Sequence, residues 1–135
     1  MVSGCREREE IMLIEGELSQ QIIGAAIEVH RELGPGLLES AYEECLCHEF
    51  SLRGLRFQRQ IELPVRDKEL QLDCGYRMDL LVEEKIVLEL KCVEAIAPIH
   101  KGQLLTYLRL SHNAVGLLLN FNVAVMKDGI LRIVN

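Results

Sequence analysis

The chain has few of the marks that identify common functional classes. It contains no GxxxxGK[ST] and no GxGxxG, so a nucleotide-phosphate loop is unsupported. GxSxG is absent as well. Cys47 and His48 are adjacent on a predicted helix, where neighbouring side chains point apart, so they do not form a nucleophile–base pair. The five cysteines, Cys5, Cys45, Cys47, Cys74 and Cys92, are odd in number and include no CxxC. Cys45 and Cys47 are too close in sequence for a zinc-knuckle pair. They read as reduced thiols acting as small hydrophobes, which points to the cytoplasm. No apolar run reaches the ~18 residues of a membrane span. The longest, residues 114–126, is interrupted by Asn120 and Asn122, so no membrane partner is expected. The charged N-terminus is not followed by an apolar run and a cleavage site, so no secretory signal is expected. Repeats and low-complexity linkers are also missing.

Positive charge is scarce. The formal net charge is −6, which argues against a non-specific coat for nucleic acid. It does not exclude a nuclease, because metal-binding carboxylates are themselves acidic and a divalent cation changes the local field.

With 135 residues, 49% of them hydrophobic, and a mean hydropathy of +0.12, the chain can bury one core. The expectation is one domain over residues 1–135, frayed over about the first ten. Ile14, Leu18, Ile22, Ala26, Val29 and Leu33 recur at three- and four-residue spacing and make one helical stripe, which stops at Gly34-Pro35-Gly36. A second helix is predicted over about 38–52, closed by Arg53-Gly54. The pattern then alternates. Strands are predicted over 57–65, 70–74, 77–82 and 86–91, with turns at 66–69 and 83–85. A helix over about 99–110 follows Pro98, and strands over 114–121 and 129–134 close the chain. The order α-α-β-β-β-β-α-β-β implies an α/β fold, a central mixed sheet flanked by helices.

The strongest chemical signal lies in the hairpin 77–91. A three-residue loop makes Val82 face Ile86, Leu80 face Leu88 and Asp79 face Glu89. Leu80, Val82, Ile86 and Leu88 then share one face, and Asp79, Glu89 and Lys91 share the other. A register slip of one would put Asp79 on the apolar side. Opposed Cβ atoms lie about 5 Å apart, so two carboxylates can share a divalent cation such as Mg²⁺ or Mn²⁺. Such a cation lowers the pKa of a bound water, and a lysine two residues along can stabilise the transition state of phosphodiester hydrolysis. The same residues also fit a solvated strand face with a cross-strand ion pair. The apolar run 86–90 favours burial, where charges need a partner or a metal.

Other polar residues are candidates to join this cluster. Gln103 and Tyr107 lie four apart on a helix, with Leu104, Leu105 and Leu108 read as the opposite side. The pair can hold a phosphate or a water, or form a polar helix edge with Tyr107 half-buried. Glu39 can supply a third carboxylate or orient a water, or serve as a charge at a helix N-terminus. His30, Tyr42, Arg77 and His100 are candidate substrate contacts. For His30 the rival role is a partner of the helix dipole, and for His100 a surface position at a helix start.

These residues resemble a known family. Gly36-Leu37-Leu38-Glu39-Ser40-Ala41-Tyr42 resembles the signature of the GxxExxY proteins. Residues 75–82, Glu89-Leu90-Lys91, residues 100–108 and Asn120-Phe121-Asn122 resemble further blocks of that family, in the same order, from about Ile22 to Asn135. The resemblance places the chain in the PD-(D/E)XK nuclease-like superfamily and implies a restriction-endonuclease-like core. It further implies that Asp79 and Glu89 bind metal and that Lys91 is the catalytic lysine. Glu39 would be an accessory acidic residue, and Gln103 and Tyr107 a Q-x3-Y motif. Gly102 stands where alanine is expected, which costs the helix ~1 kcal/mol and leaves the chemistry untouched. The expected function is a Mg²⁺- or Mn²⁺-dependent nuclease acting on nucleic acid, DNA before RNA, with a homodimer expected by analogy. The rival readings are a non-catalytic module that binds nucleic acid or protein, and a structural subunit of a larger complex.

Overall fold

Residues 15–73 and 75–135 are described by a computed structural model. Ile14, Cys5, Cys74 and the expected fraying of the N-terminus lie outside the described residues.

Helix α1 spans Gly16–Leu33 and buries Ile22, Ala25, Ala26, Val29 and His30 along one stripe. It stops as expected. Gly34 has φ +68 and donates its N–H to the His30 carbonyl. Helix α2 spans Glu39–Leu52 and buries Tyr42, Leu46, Cys47 and Phe50. The Tyr42 hydroxyl donates to the Gly34 carbonyl (2.5 Å) and accepts from the Leu37 N–H (3.2 Å). The tyrosine thereby ties the Gly-Pro-Gly turn onto the helix that follows it. Its ring stacks on Phe121 at 4.4 Å between centroids.

The predicted strand 57–65 is two strands. β1 ends at Glu62 (Phe57–Glu62), and Leu63 and Pro64 carry the chain off the sheet. Proline has no N–H to give a ladder, so the strand cannot continue through it. β2 (Val65–Asp67) and β3 (Leu70–Leu72) then form a separate two-stranded hairpin. Arg66 and Asp67, expected in the turn, belong to β2. The turn contracts to Lys68 and Glu69, and β3 stops short of the expected 74.

β4 (Arg77–Val82) and β5 (Ile86–Lys91) match their predicted spans. Helix α3 (Pro98–Ser111) carries the chain to β6 (Val115–Asn120), which lies parallel to β5. A 3-10 turn, Met126–Gly129, precedes β7 (Ile130–Val134). The main sheet has the order β1-β4-β5-β6-β7, parallel at β5–β6 and antiparallel elsewhere. This is the mixed sheet flanked by helices that the sequence predicts, with one more strand in the connection.

Both faces of the sheet are covered. Leu80, Val82, Ile86, Leu88 and Leu90 pack under α1 and α2 with Ile22, Tyr42, Phe50 and Phe121. Met78, Val87 and Leu118 pack under α3 with Leu104, Tyr107 and Leu108. Tyr107 thus shares a buried face with Leu104 and Leu108 rather than opposing them. Each fully buried aliphatic or aromatic side chain contributes about 1.5–3 kcal/mol, and the two layers hold β5 from both sides. Among the described residues Cys45, Cys47 and Cys92 are free thiols.

Candidate active site

The β4–β5 turn is tight. Glu83 and Glu84 both have positive φ, and the Lys85 N–H returns to the Val82 carbonyl at 3.0 Å. From it the strands pair Val82 with Ile86, Leu81 with Val87 and Leu80 with Leu88. That is the predicted register, and regular pairing ends one step before Asp79 and Glu89. There the side chains replace the ladder. The Asp79 N–H donates to Glu89 Oε1 (3.2 Å), and the Leu90 N–H donates to Asp79 Oδ2 (2.9 Å).

The ladder on the other side of β4 also gives way at Asp79. β1 pairs Arg59 with Leu80 and Ile61 with Met78, skipping the intervening Gln60. Gln60 has φ +51, a left-handed conformation that costs a non-glycine residue about 1–2 kcal/mol. The interruption frees backbone and side chains around the carboxylates from sheet geometry. Strain of this kind gathers at functional sites.

Glu89 is only 4% exposed. Burial first, then the charge of Asp79 beside it, pushes its carboxyl up to about 9. Asp79 is raised as well, chiefly by burial, although the Leu90 N–H and a hydrogen bond with Glu89 work against the rise. The Asp79 charge opposes ionisation of Glu89, and a Glu89 carboxyl raised to about 9 favours its protonated form at neutral pH. A low-dielectric site cannot hold two bare carboxylates side by side, so the pair takes up a positive charge, a proton here.

Lys91 is half-buried, on the same side of β5 as Glu89, and makes no ion pair among the described residues. Its charge favours the ionised forms of Glu39, Asp79 and Glu89. Glu39 is raised by burial first, against the pull of Lys91, with Asp79 and Glu43 adding to the rise. Gln103 Nε2 donates to the Tyr107 hydroxyl at 3.0 Å. Tyr107 is raised by burial and by the charges of Glu89 and Asp79, which places its hydroxyl in the field of the pair. Asp79, Glu89, Lys91, Glu39 and Tyr107 therefore lie in one field, with Gln103 bonded to Tyr107.

The remaining candidates are placed differently. His30 is buried, with Nε2 2.8 Å from the Val123 carbonyl, and Tyr42 is committed to the Gly34–Leu37 turn. Both side chains serve contacts of the fold. His100 Nδ1 accepts from the Ala97 N–H (2.9 Å) and caps α3, and its charge acts on Glu39. Arg77 is exposed, with a long 3.9 Å ion pair to Glu62.

Two site residues were not anticipated. Glu43 lies one helical turn beyond Glu39, and its charge raises both Glu39 and Asp79. It is held by Arg59 (2.7 Å) and by Gln60 Nε2 (2.8 Å). The i, i+4 spacing of the two glutamates was the available signal. Asn120 is buried opposite Lys91 on β6. It accepts from the Val93 N–H (3.1 Å) and donates to the Val93 carbonyl (2.9 Å). These bonds fix the chain as it leaves Lys91. Gly129 lets the chain close over this point, because a Cβ there would lie 2.0 Å from the Asn120 carbonyl oxygen.

A carboxylate pair on neighbouring strands, with a lysine two residues past the second, on a mixed sheet between helices is a nuclease-type arrangement. The model of the PD-(D/E)XK nuclease superfamily matches residues 16–133. The chain belongs to that superfamily. No characterised protein and no solved structure matches it. Nucleases of the PD-(D/E)XK superfamily generally use divalent metals. The donors of this member fit one. Asp79 and Glu89 offer hard oxygen ligands, and the raised carboxyl marks an unmet demand for positive charge. Among the described residues no group of three or more His, Cys, Asp or Glu side chains is placed to hold a metal ion. No helix among the described residues is long and apolar enough to cross a membrane.

Proposed function

We propose that the chain is a divalent-metal-dependent nuclease that hydrolyses phosphodiester bonds in DNA. The observation that carries the reading is the replacement of the β4–β5 ladder by the buried Asp79–Glu89 pair, with an unpaired lysine on the same side of β5. Asp79 and Glu89 would hold Mg²⁺ or Mn²⁺, which when bound supplies Lewis-acid stabilisation of the charge developing on the phosphate.

The chain's own groups do the rest. Lys91 orients the attacking water and donates to a phosphoryl oxygen, where its charge acts in a water-poor site. Glu39, its carboxyl raised by burial, would take a proton from that water or return one to the leaving oxygen. Gln103 holds the Tyr107 oxygen from one side, which leaves the phenolic proton free to donate to a phosphate oxygen. In the balanced step the water oxygen bonds to phosphorus and one ester P–O bond breaks. One water proton ends on the departing oxygen.

The reading is tested with labelled single- and double-stranded DNA in Mg²⁺, Mn²⁺ or EDTA, comparing wild type with Asp79→Ala and Lys91→Ala. Cutting that needs metal and is lost in both variants supports it. Wild-type protein that binds DNA without cutting any substrate would make the chain a non-catalytic binding module instead. Cutting that survives both substitutions would place the chemistry elsewhere.

A further inference from the structure

We infer that a cleft lined by Pro64, Arg66, Arg109, Leu110 and His112 holds the phosphodiester backbone of the polynucleotide strand. The inference rests on the nuclease reading above and names the surface that grips its substrate.

Cations are scarce in a chain of net charge −6, and among the described residues five arginines already have a carboxylate partner. Arg31, Arg53, Arg56, Arg59 and Arg77 each lie within ion-pair distance of a glutamate. Arg66 and Arg109 are different. Neither has a carboxylate partner among the described residues, both are exposed, and both line the same cleft. They come from elements far apart in sequence, strand β2 and helix α3, so local spacing does not explain their meeting. The cleft encloses about 410 Å³, within the ~300–1,000 Å³ of ligand clefts.

Its Leu110 wall packs against the buried cluster that holds Tyr107. Leu63 and Tyr107 belong to one buried cluster, and Pro64 directly follows Leu63. Leu110 is three residues past Tyr107 and seven past Gln103, which keeps all three on one face of α3. The β2–β3 hairpin also needs an account. All three residues of β3 are exposed, and β2 is exposed at Arg66 and Asp67, so the hairpin adds little to either core. Its departure from the main sheet at Pro64 carries Arg66 to the end of α3. A guanidinium fork matches phosphate oxygens in pairs, and such contacts position a strand without reading its bases.

The test is fluorescence anisotropy of a labelled single-stranded oligonucleotide in EDTA, with salt stepped between about 50 and 200 mM. Arg66→Gln/Arg109→Gln should weaken binding about tenfold and lower the slope of log K against log salt by about 1.4, two contacts at about 0.7 each. Arg66→Lys/Arg109→Lys keeps the charges and should restore most of that slope. Arg31→Gln/Lys127→Gln removes two cations outside the cleft and should bind like wild type. If the Gln double variant keeps wild-type affinity and slope, the cleft assignment is wrong and the nuclease reading stands. If the Lys variant stays as weak as the Gln variant with a lowered melting temperature, the loss was structural and the assignment falls. If wild type binds no oligonucleotide, the cleft assignment falls, and metal-dependent cleavage in the assay above decides the nuclease reading separately.

Discussion

The Asp79 side chain accepts the Leu90 N–H at 2.9 Å, while the Asp79 N–H donates to the Glu89 side chain at 3.2 Å. The two carboxyls thus bind each other's strands where the ladder ends, and Glu89 lies almost fully buried beside Asp79. This reciprocal arrangement links fold, electrostatics and proposed chemistry.

It makes stability of the metal-free protein depend on pH. Glu89 is raised in the folded state to about 9, so the folded protein keeps a proton that the unfolded chain has released above the ordinary carboxylate range. The contribution is complete below that range and is lost as pH rises toward about 9. Thermal melts in EDTA from about pH 5 to about pH 9 should therefore show a falling melting temperature. Glu89→Gln, a permanent mimic of the protonated form, should flatten that fall. An unchanged slope in the variant would remove Glu89 as its source.

Lys91→Ala should lower the rate of cleavage by about 10²–10³-fold, as loss of a preorganised transition-state donor does. Mn²⁺ affinity, followed by calorimetry, should be kept. Loss of Mn²⁺ binding in this variant would make Lys91 part of the folding of the site instead.

Tyr42→Phe should cost about 1–3 kcal/mol in urea unfolding, because the Gly34 carbonyl and the Leu37 N–H lose their shared partner. Cleavage per folded molecule should not change. A variant of normal stability and reduced cleavage would return Tyr42 to the list of substrate contacts.

Gln60→Gly should relieve the φ of +51 and raise stability by about 1 kcal/mol, less whatever the exposed bond to Glu43 contributes. A lower melting temperature would show that the Gln60 side chain matters more than its backbone conformation.

Much of this was legible in the chain. The hairpin 77–91 could be read as far as Leu80 and Leu88, since loop length and strict alternation leave one register that buries Leu80, Val82, Ile86 and Leu88 together. The first helix announced itself by its stripe and by Gly34-Pro35-Gly36. The break at Leu63–Pro64 was within reach, because a proline inside a predicted strand marks an exit from the ladder. Other features have no local signal. His30 meets Val123 across 93 residues, and Arg66 meets Arg109 only through the fold. The distortion at Gln60 lies beside Asp79 in the β1–β4 ladder and has no signal in the local sequence. The raised Glu89 carboxyl arises because α3 covers the face that carries the charges, which turns an apparent strand surface into an interior.

The central claim is that the Asp79–Glu89 pair trades its proton for a divalent cation. Calorimetric titration with Mn²⁺ at pH 7, repeated in buffers of different ionisation enthalpy, measures this directly. The account predicts saturable binding with release of about one proton, abolished by Asp79→Ala and by Glu89→Gln. Absence of Mn²⁺ binding in the wild type, or binding that persists in both variants, would contradict it.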